Sequence, residues 1–290
     1  MSLPSAAILF FSHVFDRTSV AHLAKLREEA AGHGTVFVYA DAHGEPPPPR
    51  DPDVVTFDFD AIRPRYPSVL GHTLIPGNCH LTLLDFYRQH PQFDHYWVIE
   101  YDVAFTGHWG EFFTAFADVD ADFIASHVKS YDEDPAWPWW GSLRSPDGAP
   151  GPRPSLVRAF CPVQRVSRRA LQLLERRSQE GWSGHFETLV PTLLKREGHT
   201  LLDFGGTGSY VTPAFRNRFY RGFGWSDGRL RFGTMRYRPP FGSLRWPRKS
   251  TLYHPVKPAR SIGERVEHLS FVAGRILRSP ARLARALARR

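Results

Sequence analysis

Apolar and polar positions fall into blocks whose periods alternate between strand and helix along most of the chain. Residues 6–14 are almost continuously apolar and read as a buried strand. Residues 18–31 place Val20, Leu23, Leu26 and Ala30 at helical spacing, with Gly32 and Gly34 as stop signals. The apolar run at 35–40 predicts a second buried strand and residues 53–59 a third, while the proline run at 46–49 forbids regular structure. A helix over 79–90, a strand over 96–101, a helix over 109–117 and a strand over 122–126 follow. Residues 132–155 are rich in Pro, Gly and Trp and read as a long surface loop. Beyond it the pattern gives a strand at 160–163, a helix at 167–177 with Ser167 as its N-cap, a helix at 185–196 and a short strand at 200–204. This alternation predicts an α/β fold: a mainly parallel sheet, Rossmann-like, with helices on both faces, whose ligands bind at the carboxyl ends of the strands. No internal repeat is visible. One domain is expected over residues 1–258, followed by a basic amphipathic tail over 259–290.

Composition narrows this picture. With 42% hydrophobic and 23% charged residues among 290, the chain is that of a folded water-soluble protein large enough for one full α/β core. Two cysteines, Cys79 and Cys161, exclude a disulfide scaffold and fit a reducing compartment. Residues 1–11 lack the basic flank and apolar length of a signal peptide, and no segment reaches the ~18 apolar residues of a spanning helix. A cytoplasmic location is therefore expected. The net charge of +8 is uneven. Residues 258–290 hold eight Arg against two Glu, and the other 257 hold 29 basic and 27 acidic groups. A nearly neutral body argues against nucleic acid as a partner. The tail carries an apolar stripe at Val266, Leu269, Val272, Ala273, Ile276 and Leu277, flanked by arginines. That pattern suits either a solvated basic tail or an anionic membrane surface, the latter placing the protein peripherally on the inner face of the cell membrane.

The chemistry centres on Glu100-Tyr101-Asp102, at the end of the apolar run 96–99. With period two, both carboxylates point to one face, where they repel and resist desolvation. A divalent cation with a preference for oxygen, Mn²⁺ or Mg²⁺, resolves both problems; a solvated strand end is the plain alternative. The segment 96–103 resembles the aspartate-x-aspartate segment of GT-A-type glycosyltransferases, members of the nucleotide-diphospho-sugar transferase superfamily, in a variant with Glu first. With Phe105-Thr106-Gly107-His108-Trp109 after it, the stretch looks like an uncharacterised GT-A-like family of bacteria and fungi.

The resemblance implies a GT-A-like domain that moves a sugar from a nucleotide-sugar donor to a glycan or lipid-linked acceptor. Asp102 would ligate the metal and Glu100 would join it or hold the donor ribose. In Tyr253-His254-Pro255-Val256-Lys257, His254 would complete the metal site and Lys257 would contact the diphosphate. Glu187, at the start of a helix facing the acceptor, is the expected base if configuration inverts, with His185 as the alternative base; capping and the helix dipole explain Glu187 equally well, and a retaining enzyme would need no such base. Trp137, Trp139, Trp140 and Trp182 form either an acceptor platform or a loop folded onto the core. By topology, Ser12, His13 and Asp41 lie at the first strand ends, where Asp41 would meet the donor base or ribose. Asn78 reads as an N-cap, and Gly205 to Gly208 as a turn. Two other readings compete. A nucleotidyltransferase of the same fold would need a Gly- and Arg-rich loop straight after the first strand, which residues 11–17 lack. A non-catalytic carbohydrate- or membrane-binding protein would not need Asp102, His254 and Lys257 together.

Overall fold

The computed structural model describes residues 5–44, 46–222, 228–244 and 247–257. The basic stretch 259–290, and with it the expected membrane-binding helix, lies outside the described residues. The elements in chain order are β1 (Ala6–Ser12), α1 (Arg17–Glu29), β2 (Thr35–Asp41), β3 (Val54–Phe57), α2 (Phe59–Ile62), α3 (Cys79–Gln89), β4 (His95–Glu100), β5 (Ala104–Phe105) and α4 (Trp109–Thr114). Then come β6 (Phe123–Ser130), β7 (Val157–Ser167), α5 (Arg168–Gln179), α6 (Phe186–Arg196), β8 (Leu201–Asp203) and β9 (Leu252–Tyr253).

Seven strands form one mixed, mainly parallel sheet in the order β3-β2-β1-β4-β7-β6-β8. The sheet is parallel from β3 to β4 and again between β6 and β8, while β7 runs antiparallel to both its neighbours. The α/β fold expected from the alternating pattern is the fold observed. Central strands are apolar on both faces because helices cover both: Ala7, Ile8 and Leu9 in β1 have no exposed surface at all. Local signals set the helix starts. Asp16 caps α1 by accepting from the Thr18 and Ser19 N–H groups, and Ser167 caps α5 by accepting from Ala170.

Two elements depart from the sequence pattern. β7 spans 11 residues, not the four expected, and all are buried. Arg158, Gln164 and Arg165 interrupt its apolar run yet lie in the interior; Arg165 reaches the carbonyls of Phe116, Val119 and Ala121. A buried guanidinium is tolerated in a strand when distant segments supply acceptors, three carbonyls for Arg165 and the Asp134 carboxylate for Arg158, so a polar letter did not mean a strand end. The stretch 132–155 is not a simple surface loop. Trp137 and Trp140 are buried, their indole N–H groups donating to Thr188 Oγ1 at 3.3 Å and to the Asp134 carbonyl at 2.8 Å. The loop folds back and connects β6 to β7 without a crossover helix, which is why β7 runs antiparallel.

A two-stranded ribbon, β5 with β9, stands apart from the main sheet. It brings residues 252–257 back across the carboxyl end of β4, some 150 residues after that strand in the chain.

Candidate metal and nucleotide site

β4 delivers the acids. Glu100 is its last residue, and a turn closed by Val103 N–H to the Glu100 carbonyl (3.0 Å) carries Asp102 out of the strand. Tyr101 N–H donates to the Phe11 carbonyl at 3.0 Å, fixing this turn to the end of β1. The two carboxylates therefore converge through a turn, not through strand alternation as the sequence pattern implied. The returning segment is pinned by backbone bonds from Val256 N–H to the Asp102 carbonyl (2.8 Å) and from His254 N–H to the Thr234 carbonyl (2.9 Å). His254 thereby meets both acids, its Nε2 standing 3.4 Å from Glu100 Oε2 and 3.4 Å from Asp102 Oδ1. Lys257 Nζ lies 3.0 Å from Asp102 Oδ2.

The arrangement fits a divalent cation. One ligand atom from each of Glu100, Asp102 and His254 lies within 4.8 Å of the others. Asp102 Oδ1 is buried without a hydrogen-bond partner, which is costly unless a cation answers it. His254 Nδ1 donates to the Arg236 carbonyl at 2.8 Å, so in the neutral ring the lone pair sits on Nε2, facing the acids. That is the outer-shell hydrogen bond that orients metal-ligating imidazoles. Two carboxylate oxygens and one imidazole suit Mn²⁺ or Mg²⁺, with imidazole favouring Mn²⁺.

The charges are strongly coupled. Burial opposes the charged form of His254, but Asp102 and Glu100 outweigh it and push its pKa up to about 10. Burial also opposes ionisation of Asp102, yet His254 and Lys257 hold its carboxyl well below the usual range. Lys257 is raised: burial disfavours its charge, and Asp102 and Tyr101 more than compensate. Its ammonium also lies 5.2 Å from the centre of the Tyr101 ring. Without metal, a proton on His254 does part of the cation's work, so metal binding must displace it.

At the neighbouring strand ends, His13 is exposed and meets the Tyr101 ring edge-on at 4.9 Å. Its pKa is lowered by burial and then by Lys257. Asp41 ends β2 next to it; its Oδ1 accepts from the His43 N–H at 2.9 Å, leaving Oδ2 for a ligand. Asn78 does not cap α3. Its amide holds the preceding loop, accepting from Leu70 N–H and donating to the Leu70 and Thr73 carbonyls. Gly205 to Gly208 form a turn after β8, with Gly205 against the Tyr220 ring, where a Cβ would come within 2.5 Å of Cδ1.

Glu187 and His185 take different parts. His185 is the N-cap of α6: its Nδ1 accepts from Glu187 N–H at 3.4 Å, and its ring stacks on Trp139 at 4.6 Å. Burial lowers its pKa to about 4, so it is neutral. Glu187 is buried, with Oε1 accepting from the Cys161 N–H at 3.2 Å. Burial pushes its pKa up to about 8. Phe160, adjacent in β7 to the Cys161 whose N–H Glu187 accepts, packs edge-on against His254 at 5.2 Å. The four tryptophans do not make a shared open platform: Trp137 and Trp140 are buried, Trp139 covers His185, and Arg196 lies over Trp182 at 4.8 Å.

Several supporting residues escaped sequence reasoning. Arg158, with no exposed surface, pairs with Asp134 and lies 4.7 Å from the Trp137 ring centre, tying the 132–155 loop to β7. His127 sits at a β-bulge with φ +49°, donates its N–H to the Tyr220 hydroxyl oxygen at 2.9 Å, and bonds through Nε2 to the Met235 carbonyl at 2.9 Å. Tyr220 in turn donates to Asp203. This chain of bonds anchors the segment whose Arg236 carbonyl orients His254. The one signal in the sequence was a cluster of polar residues inside apolar runs, which does not by itself name partners.

A sequence family described as a protein of unknown function, DUF3405, matches residues 57–123, a stretch that includes Glu100 and Asp102. No curated protein matches the chain significantly. Among solved structures the chain is similar to HddC from Yersinia pseudotuberculosis, complexed with GMP-PN, at 12% identity and a TM-score of 0.36, covering 70% of this chain and 90% of that one. It is also similar to the inositol-1-phosphate CTP transferase from T. maritima, at 14% identity and a TM-score of 0.39, covering 74% of this chain and 92% of the other.

Proposed function

We propose that the chain is a metal-dependent glycosyltransferase that moves a sugar from a nucleoside-diphosphate donor to a glycan or lipid-linked acceptor. The observation that carries this reading is the convergence of Glu100, Asp102 and His254, with Lys257 beside them, at the carboxyl end of β4. Ligands of open α/β sheets bind at that end. A bound Mn²⁺ or Mg²⁺ would neutralise the diphosphate and polarise its oxygens. Glu100, Asp102 and His254 would hold the cation, and Lys257 would balance the charge that grows on the diphosphate as it leaves. Asp41 and His13 stand where the nucleoside would lie. In the transfer, the acceptor hydroxyl oxygen bonds to the anomeric carbon, the bond from that carbon to the diphosphate breaks, and Glu187 takes the hydroxyl proton. Glu187, not His185, has this role, because burial lowers His185 to about 4 and makes it a weak base, and its Nδ1 already accepts from the Glu187 N–H. The turn after β1 supports a transferase over a nucleotidyltransferase: Ser12 bonds both ways to Val14, and α1 begins at Arg17, leaving no room for a Gly- and Arg-rich loop.

The test is calorimetric titration with UDP and GDP, with and without Mn²⁺, followed by a screen of nucleotide-sugars for metal-dependent release of nucleoside diphosphate. Mn²⁺-dependent binding and donor turnover are expected. Pyrophosphate release from a nucleoside triphosphate and a sugar phosphate would replace this reading with nucleotidyl transfer, and no nucleotide binding would leave a non-catalytic protein.

A further inference from the structure

At the amino end of the sheet, opposite the candidate metal site, a second cavity opens beside β4. β4 places His95 and Trp97 two residues apart and so on one face, and Arg165 of β7 stands opposite Trp97 in register, on that same face. Phe112, Phe113 and Phe116, from α4 and the turn after it, pack on Trp97 with ring centres 5.3, 5.5 and 5.7 Å away. α4 has six residues, about 9 Å of helix, against about 20 Å for the six residues of β4, so it covers only part of that face. Beside it lies a cavity of about 280 Å³ lined by His33, His95, Trp97, Phe113, Phe116 and Arg165. Its rim is the turn after α1, held against β1 at Gly34, where a Cβ would come within 2.6 Å of the Ala6 carbonyl oxygen.

The polar groups of this lining set the charge of what it can hold. Arg165 is 2% exposed, and its guanidinium donates to the carbonyls of Phe116, Val119 and Ala121. Among the described residues no carboxylate lies within ion-pair distance of it. The neighbouring acids are held by other arginines: Asp94 by Arg168 at 2.6 Å, Asp120 by Arg169 at 3.3 Å, and Asp122 by Arg169 as well. Burial lowers the Arg165 pKa to about 10, against the pull of Asp120 and Asp122, so the group is charged at neutral pH. Burial, and then Arg165, push His95 down to about 4, so its ring is neutral there and offers one N–H donor and one acceptor. Among the described residues no hydrogen bond engages the ring of His95 or of His33, whose only ring contact is with Phe113 at 6.1 Å. A buried cation answered by carbonyl dipoles alone, next to two free imidazoles and aromatic walls, favours a ligand that is both anionic and flat.

We propose that this cavity binds a small aromatic carboxylate, at a site separate from the metal cluster and independent of the transfer chemistry. The ligand's ring lies against Trp97 and Phe113, the imidazoles of His33 and His95 donate to its carboxylate, and Arg165 balances its charge. Size limits the occupant. The cavity falls just under the roughly 300 Å³ at which pockets for drug-sized ligands begin, so one ring system with one acidic group is what it takes. A phosphate suits it less: a dianion would meet one guanidinium and two neutral imidazoles, and the aromatic walls would have no ring to receive.

Calorimetric titration of the full chain with indole-3-carboxylate, indole-3-carboxamide and inorganic phosphate, without metal or nucleotide, tests this. The carboxylate should bind with one-to-one stoichiometry, the neutral carboxamide at least ~10-fold more weakly, and phosphate not at all at the same concentrations. Ala117 also lines the cavity, half-buried, so Ala117→Leu narrows it and should weaken the carboxylate ~10-fold or more. His95→Ala removes one donor and should weaken it about 10-fold. UDP with Mn²⁺ should not displace it, because the metal cluster lies at the other end of β4. The proposal is overturned if indole-3-carboxylate does not bind at millimolar concentrations, or if the carboxamide or phosphate binds as tightly. It is equally overturned if either variant, folded by circular dichroism, binds like the parent, or if UDP with Mn²⁺ competes. The three ligands are compared on the parent chain, so that result decides the matter even where a variant fails to fold.

Discussion

Asp102→Asn separates the site's electrostatics from its fold. The substitution keeps the side chain's shape and removes its charge, leaving His254 and Lys257 without their shared partner. Breaking a buried ion pair costs roughly 3–5 kcal/mol when the remaining charge is stranded. Two features reduce that figure. His254 keeps Glu100 at 3.4 Å, and Lys257 is 37% exposed, so water takes over much of its lost interaction. Relief of repulsion between the carboxylates offsets little, because the His254 imidazole already lies close to both. A net loss of about 2–3 kcal/mol follows, or roughly 4–10 °C in thermal midpoint for a domain of this size.

The sign with pH identifies the cause. His254 is raised from 6.5 to about 10, so its contribution is fully present below 6.5 and is lost as pH rises through 10. Asp102 is held below its ordinary 3.8, so its contribution is present above that value and is lost only in acid. The contact between the two enters both shifts and counts once; Lys257 also lowers Asp102 and Glu100 also raises His254. The parent's advantage over Asp102→Asn should be greatest between about pH 4 and 6.5 and fade toward pH 10. Urea unfolding in chelator across that range measures it. Mn²⁺ at 100 times its dissociation constant should then add about 2.7 kcal/mol to the parent and nothing to the variant. A variant as stable as the parent, with the same slope against pH, or stabilised equally by Mn²⁺, would refute the reasoning.

Glu187→Gln keeps an acceptor for the Cys161 N–H and should fold normally, leave Mn²⁺-dependent nucleotide binding unchanged, and slow transfer at least ~100-fold in a coupled diphosphate-release assay. Because burial holds Glu187 protonated up to about 8, the parent's rate should climb as pH rises through that value and the variant's profile should lose the step. His185→Ala removes a cap and a stack on Trp139, so it should lower stability by ~1 kcal/mol in urea unfolding. It should preserve the pH profile of transfer; loss of the pH step would return the base role to His185.

What the sequence made legible follows the physics of each element. Buried parallel strands announce themselves as apolar runs, so β1, β2 and β4 fall close to their expected bounds, and Ser167 marks the start of α5 by local chemistry. β7 was legible only in part, because Arg158 and Arg165 are buried by partners from distant segments: Asp134 for one, the carbonyls after α4 for the other. Asn78 has a capping residue's identity, but its amide serves the 70–73 loop, a contact that no local rule names. The four groups of the candidate site, Glu100, Asp102, His254 and Lys257, were legible as residue types in order along the chain. Their meeting point was not, because it depends on a ribbon whose only regular element among the described residues is the two-residue β9.

That ribbon makes binding and folding one equilibrium. His254 reaches the acids through the segment 228–244 and 247–257, which is tied to the body by β5 to β9, Leu252 to Phe219, Thr106 to Thr251, Val256 to Asp102 and His127 to Met235, and by the buried side chains of Met235 and Leu252. Without metal, the same docking also brings the imidazole beside two carboxylates, a contact that stabilises only while His254 holds its proton. A cation that requires all three ligands adds its binding free energy to the docked state alone. Asp102 Oδ1, buried without a hydrogen bond and facing His254 Nε2 at 3.4 Å, is the atom that a cation at this site would take. The ligands are divided between the end of β4 and a segment far along the chain. A cation held by all three groups would tie the returning segment to the end of β4, which a cluster built wholly on β4 would not do.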